Sequence, residues 1–326
     1  MFRSVFLICI VTVSFYLVAE KFVNSNGVAN EKTFSDFLKW SFSNESPERV
    51  AIEISDAWKA LDLENENYIL WIGHASFLIN IDGTTILTDP IFSKRASPVS
   101  IFGPKRLIPP ALKITDLPKI DLVTISHNHY DHLDINSLVK ISKKNPDAQF
   151  LVPKGDKKIL IKKGIENVSE FLWWENSFVK NLKITFTPVQ HWSARGLGDR
   201  NESLWGGWFF ETSGFNFFHA GDTGYSNDFL MTREKLGAPN FALIPIGAYS
   251  PEWFMAENHV NPEDALQIAV DLDAKKSIGM HWGTFILTDE AVTEPPQLLK
   301  SALKERGLPK DYFITLKPGD FELIEN

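Results

Sequence analysis

From Tyr68 onward, short apolar runs recur between polar breaks, a run length that suits strands better than long helices. Tyr68–Gly73 opens this compact part. Ser76–Ile81 and Thr85–Thr88 flank Asp82-Gly83, a dipeptide that favours the tight turn of a β-hairpin. Further strands are predicted at Asp121–Ser126, Gln149–Val152, Leu182–Thr187, Trp205–Glu211, Phe215–His219, Phe241–Ile246 and Ser277–His281. Helices are predicted after Asp134, Lys154, Asn227, Asn261 and Glu294. The clearest start is Asn261-Pro262-Glu263-Asp264, with a capping amide, a proline in the first turn and two acids facing the positive helix end. Many short strands with interspersed helices predict two packed sheets with helices outside.

The amino-terminal part follows a different pattern. Val5 to Ala19 is almost wholly apolar and is preceded by Arg3. About 15 residues is short for a membrane span, which needs about 20, and matches a signal-peptide core. Leu17-Val18-Ala19 is a poor cleavage site because Leu17 is large where a small residue is required. Residues 1–23 are therefore read as a membrane anchor, with export after signal cleavage as the alternative, and Arg3 favours a cytoplasmic amino terminus. Residues 24–66 are polar with mixed charge and read as a linker or amino-terminal arm, with amphipathic stretches around Phe34–Phe42 and Val50–Leu63. Residues 67–326 form the predicted catalytic domain.

Composition narrows the chemistry. The net charge of -8 argues against a nucleic-acid partner, which requires a basic footprint. The sole cysteine, Cys9, lies in the apolar segment, so any metal in the folded domain must be held by His, Asp or Glu.

Such residues are concentrated in His127-Asn128-His129-Tyr130-Asp131-His132, directly after the strand predicted at Asp121–Ser126. Imidazole nitrogens and a carboxylate suit zinc when no thiolate is on offer. His191, Asp222 and His281 each follow a predicted strand, where rigid backbone can fix ligand geometry. Together they make two sites. His127, His129 and His191 take one ion, Asp131, His132 and His281 the second, and Asp222 bridges them. Five imidazoles disfavour calcium, and two zinc ions are expected, with iron or manganese left open.

The order His-x-His-x-Asp-His, a distant His, Gly-Asp-Thr-Gly and a final His resembles the signature of the metallo-β-lactamase superfamily. Within it, Trp71-Ile72-Gly73-His74-Ala75-Ser76, Leu87-Thr88-Asp89-Pro90, Gly247-Ala248-Tyr249, Trp253-Phe254-Met255, His259-Val260 and His281-Trp282-Gly283-Thr284-Phe285 resemble the N-acylphosphatidylethanolamine-hydrolysing phospholipase D family. The resemblance runs from about residue 67 to 320. It implies an α+β fold, the four-layer αββα sandwich, carrying a dinuclear zinc hydrolase site. The implied reaction is hydrolysis of an N-acylated ethanolamine phospholipid to phosphatidate and N-acylethanolamine.

The implied partners are a phospholipid and a membrane surface, with an oligomer left open. The candidate catalytic residues are Asp131 and His259. His259 would donate to a phosphate oxygen or assist the leaving alcohol. His74 and Asp89 read as residues that orient ligands, and His219 as structural. Trp192 and Trp253-Phe254 could line an acyl groove, whereas Trp173-Trp174 reads as core. The rival readings are a lactonase or soluble phosphodiesterase on the same fold, or a catalytically dead membrane-tethered scaffold.

Overall fold

The computed structural model describes residues 21–28, 32–43, 46–99, 101–196 and 198–324. The apolar run that was read as an anchor or signal therefore lies outside the described residues. Among those residues, no helix is long and apolar enough to cross a membrane.

Among the described residues, fourteen strands make two seven-stranded mixed sheets. The first contains β1 (Tyr68–Gly73), β2 (Ser76–Ile81), β3 (Thr84–Thr88), β4 (Leu122–Thr124), β5 (Gln149–Pro153), β6 (Val168–Phe171) and β14 (Phe321–Leu323). The second contains β7 (Asn176–Val179), β8 (Leu182–Thr187), β9 (Gly207–Glu211), β10 (Asn216–His219), β11 (Phe241–Pro245), β12 (Lys276–Met280) and β13 (Phe313–Thr315). Both sheets change from antiparallel to parallel pairing partway across: at β3–β4 in the first and at β10–β11 in the second.

Side-chain alternation sorts the core. On β1, Ile69 and Trp71 join the cluster shared with the second sheet. Tyr68, Leu70 and Ile72 point the other way, toward Leu138 and Ile141 of α2 (Ile135–Lys144) and Leu160 of α3 (Lys157–Ile161). On the second sheet, α6 (Pro262–Asp271) and α7 (Glu294–Glu305) bury Leu266, Ile268, Leu299 and Leu303. The helices thus lie outside the paired sheets, as expected. The predicted cap of α6 is present, with the Asn261 side chain accepting from the amides of Glu263 at 3.0 Å and Asp264 at 2.9 Å.

Some elements differ from expectation. β4 ends at Thr124 because the Ser126 amide donates to Asp89 Oδ1 at 2.7 Å instead of continuing a ladder. Helix α3 begins after Asp156, since Lys154 and Gly155 form a turn. The edge strands β6, β7, β13 and β14 were not predicted. They are only three or four residues long and each carries half-buried or exposed positions, which leaves little periodic signal.

The segment read as a linker or arm runs along the domain. Phe22, which falls in the stretch 1–23 read as an anchor or signal, is already docked on the domain: its amide donates to the Asn201 carbonyl at 2.8 Å and its ring packs against the core. In α1 (Phe34–Ser43), Trp40 stacks on Phe254 of α5 (Glu252–Met255) at 5.4 Å. Beyond it, the Ser55 and Trp58 amides bond to the Pro318 and Gly319 carbonyls.

Trp208 joins the two sheets. It sits on β9, is fully buried, packs against Phe171 and Phe186, and donates its indole N–H to the Ile125 carbonyl at 2.9 Å. Trp208→Ala is expected to cost about 3–5 kcal/mol, as large aromatic deletions in cores do. Urea unfolding reads this directly, and a loss below about 1 kcal/mol would show that the seam does not depend on Trp208.

Candidate metal centre

The ends of four strands meet at one edge. β4 leads into His127–His132, β8 into His191, β10 into Asp222 and β12 into His281. The first belongs to one sheet and the other three to its partner. Their approach is close: at Gly221, whose φ is +64°, a Cβ would lie 2.5 Å from Ser126 Cβ. Only glycine fits there, and it lets the Asp222 loop lie against the His127 loop.

The His127–His132 loop is braced from beneath by Arg195. Its guanidinium donates to the carbonyls of Asn128 at 2.7 Å and Leu133 at 2.9 Å, and stacks over the Tyr130 ring. Tyr130 in turn donates to the Arg195 carbonyl at 2.6 Å.

All seven predicted ligands converge. His129 Nδ1 lies 2.9 Å from His127 Nε2 and 3.3 Å from His191 Nε2. Nitrogens bound at about 2.0–2.1 Å to one tetrahedral zinc sit about 3.3 Å apart, so this spacing fits a cation. In the second group, Asp131 Oδ2 is 3.5 Å from His132 Nε2 and 3.3 Å from His281 Nε2. Asp222 lies between the groups, with its oxygens 3.1 Å from both His132 Nε2 and His281 Nε2 and 3.8 Å from His127 Nε2. Buried atoms that face inward without a hydrogen-bond partner, His132 Nε2 and Asp222 Oδ1 among them, complete a donor set fitted to metal.

The remaining ring nitrogens are held from behind. His132 Nδ1 bonds to Asp89 Oδ2 at 2.7 Å, and His191 Nδ1 donates to the Asn258 carbonyl at 3.0 Å. Asp89 also accepts from the Ser126 hydroxyl at 2.6 Å, and that oxygen is 2.9 Å from His127 Nδ1. These contacts select the tautomer that presents a lone pair to the ion. His74 Nε2 is 2.9 Å from Asp131 Oδ2. His74, Asp89 and His281 all have positive φ, a strained backbone state that concentrates at functional sites. His219 is turned away and bonds to the Ala75 carbonyl at 3.0 Å.

Charge around the site is strongly coupled. Burial pushes His127 and His191 well below the ordinary imidazole range, reinforced by the neighbouring histidines. Burial also lowers His74 to about 3, with His281 adding to it. For His132 and His281 burial acts downward, but Asp222 and Asp131 outweigh it and raise His132 well above its usual value and His281 to about 9. Asp131 and Asp222 are lowered despite burial, because imidazoles surround them. A cation bound here would replace those protons.

His259 overlooks this edge. Its Nδ1 is 3.9 Å from Asp222 Oδ2 and has no hydrogen-bond partner, and burial lowers its pKa to about 4. Trp192 packs edge-on to His129 at 4.5 Å, and Trp253 is exposed nearby on α5. Arg195, Ser126 and the Asn258 carbonyl were not singled out from sequence. They act through backbone groups or through another side chain, which leaves no spacing motif.

Fold and edge together define a metal-dependent hydrolase of the metallo-β-lactamase superfamily, whose β-lactamase superfamily domain matches residues 84–282. Over 269 residues the chain is 41% identical to N-acyl-phosphatidylethanolamine-hydrolyzing phospholipase D 1 of Caenorhabditis elegans, covering 79% of this chain and 76% of the worm protein. It is also 41% identical over 251 residues to the mitochondrial N-acyl-phosphatidylethanolamine-hydrolyzing phospholipase D of Saccharomyces cerevisiae, covering 75% of this chain and 53% of the yeast protein. Among solved structures, a metallo hydrolase from Ignicoccus hospitalis shares the fold, with a TM-score of 0.59 at 23% identity, covering 79% of this chain and 98% of that one. The chain belongs to the N-acylphosphatidylethanolamine-hydrolysing phospholipase D family.

Beneath the loop, Asp156 is fully buried and accepts from Asn128 Nδ2 at 3.0 Å. Burial raises its pKa from 3.8 to about 7. Between those values the folded chain keeps a proton that the unfolded chain has lost. Stability therefore falls as pH rises through that window, by at most about 1.4 kcal/mol per pH unit. Asp156→Asn keeps the acceptor and removes the charge. It is expected to melt above wild type at pH 8, with the gap closing toward pH 4. A gap independent of pH would show that Asp156 ionises as an ordinary carboxylate.

Proposed function

We propose that this protein is a dinuclear zinc phosphodiesterase of phospholipase D type. It hydrolyses N-acylated ethanolamine phospholipids to phosphatidate and N-acylethanolamine. The observation that carries the reading is the 41% identity to phospholipases D named for that substrate. The geometry supports it by placing His259, which lies in the narrower family block, over the metal-ligand edge.

His127, His129 and His191 would hold one ion, Asp131, His132 and His281 the other, and Asp222 both. Two zinc ions there would neutralise charge on a phosphodiester and acidify a bound water. The chain supplies the rest. His74 donates to Asp131 and holds that carboxylate toward the second group. His259 is neutral near pH 7 and its Nδ1 has no hydrogen-bond partner, so the ring N–H it keeps can donate a hydrogen bond to a phosphate oxygen or to the departing oxygen. Trp192 and Trp253 give the mouth an apolar rim suited to acyl chains. The exposed Phe42 and Phe37 of α1, beside Trp253, suit contact with a bilayer to which the apolar run Val5–Ala19 would anchor the protein.

A panel of N-acylphosphatidylethanolamine in mixed micelles, a lactone and a soluble phosphodiester tests the substrate. Ethanolamide release, abolished by a chelator and restored by zinc, is expected from the lipid alone. Turnover of only the lactone or the soluble diester would replace the lipid reading. Asp131→Asn and His191→Ala are each expected to lower kcat/KM by more than about 100-fold while the circular dichroism of the fold is retained. Full activity in either would refute the ligand set. His259→Ala is expected to lower kcat by about 10²–10⁴-fold while zinc content stays at wild-type level.

A further inference from the structure

The described arm begins beside the metal-ligand edge, and two adjacent side chains grip two of its loops. Asn24 is 7% exposed, and its Oδ1 accepts from the backbone amide of His191 at 3.0 Å and from Trp205 Nε1 at 3.1 Å. The next residue, Ser25, donates to Asp228 Oδ1 at 2.5 Å, at the start of α4 (Asp228–Leu236), six residues beyond Asp222. The loops gripped in this way already touch, since the Gly224 amide donates to the Gln190 carbonyl at 2.8 Å. A closed turn fixes Asn24 itself, with its carbonyl accepting from Gly27 at 2.8 Å and its amide donating to Val28 at 3.2 Å. On the near side, Phe22 bonds to Asn201, whose side chain accepts from the Ser193 amide at 3.3 Å.

We infer that this arm is part of the metal centre. Asn24 is a positioning residue that fixes the backbone of His191, so docking of residues 22–28 and binding of metal are coupled. The physical reason is the cost of a buried amide left without an acceptor. Val189 offers its carbonyl to Trp205 at 3.1 Å as a second acceptor, whereas the His191 amide bonds to Asn24. Without Asn24, the segment carrying His191 must shift to satisfy that amide, and the ring shifts with it. Coupling is reciprocal, so metal must also hold the arm. The inference rests on the ligand role of His191 and needs no particular substrate.

The test uses the full chain and zinc as the probe. Asn24→Leu, close in volume but without an acceptor, is expected to bind the first zinc about 10–100-fold more weakly, with its circular dichroism unchanged. Asn24→Asp keeps the acceptor oxygen and is expected to stay within about threefold of wild type, below that range. In the wild-type chain, removing zinc should speed hydrogen exchange of the His191 and Gly27 amides at least about fivefold, within the usual range of coupling. The Ser277 amide, bonded across to Tyr312 at the end of β12 away from His281, should not change. Wild-type zinc affinity in a folded Asn24→Leu overturns the inference. So does a Gly27 amide indifferent to zinc, a measurement that stands even if the variant fails to fold. A wild-type chain that takes up no zinc overturns the metal reading itself, a different result from zinc uptake with an indifferent arm.

Discussion

A carboxylate buried as deeply as Asp222 is tolerated only beside positive charge, because the interior cannot solvate it. That constraint organises the rest of the domain. Asp222 draws His132 and His281 to within 3.1 Å, and those residues arrive on strands from different sheets. The faces of the sheets must therefore close on one another at these strand ends, with Gly221 against Ser126 and Trp208 bonded across to Ile125. Arg195 and Asp89 fill the space behind, each satisfying groups that would otherwise be buried without partners.

Much of this was legible along the chain, and the reason is local. The six residues from His127 to His132 place four ligands where one strand ends, and a hairpin or helix cap is likewise written in neighbouring residues. His191, Asp222 and His281 were legible only jointly, because each is unremarkable until the first cluster is seen to need more ligands. Contacts made through backbone groups left no trace. Nothing in Asn24, Asn258 or Arg195 announces a partner many residues away, since an amide or carbonyl acceptor imposes no residue type on the other side. The short edge strands were hidden for a related reason: few of their positions are fully buried, and three or four residues cannot display a period. The substrate is the part least written in the ligands, which the wider superfamily shares; it enters through the His259 block and the close relatives.

The strained residues show where the fold gives way to the site. His74, Asp89 and His281 occupy left-handed backbone conformations that cost energy for residues with side chains. The His281 amide donates to the His74 carbonyl at 3.1 Å, so the two strained turns brace each other. Neither would hold that shape alone; each persists because packing and hydrogen bonds over-determine it.

The division of the ligands between the sheets has a kinetic side. His127, His129, Asp131 and His132 belong to the first half of the chain, whereas His191, Asp222 and His281 come from the second. The complete donor set exists only once both sheets have formed and met, so it contributes little to the early, rate-limiting assembly of either. Interactions completed that late slow unfolding without hastening folding. A cation held across the seam would thus act as a latch on lifetime. The loaded protein would outlast the empty one at the same temperature by opening more rarely, while both reached the native shape at about the same pace.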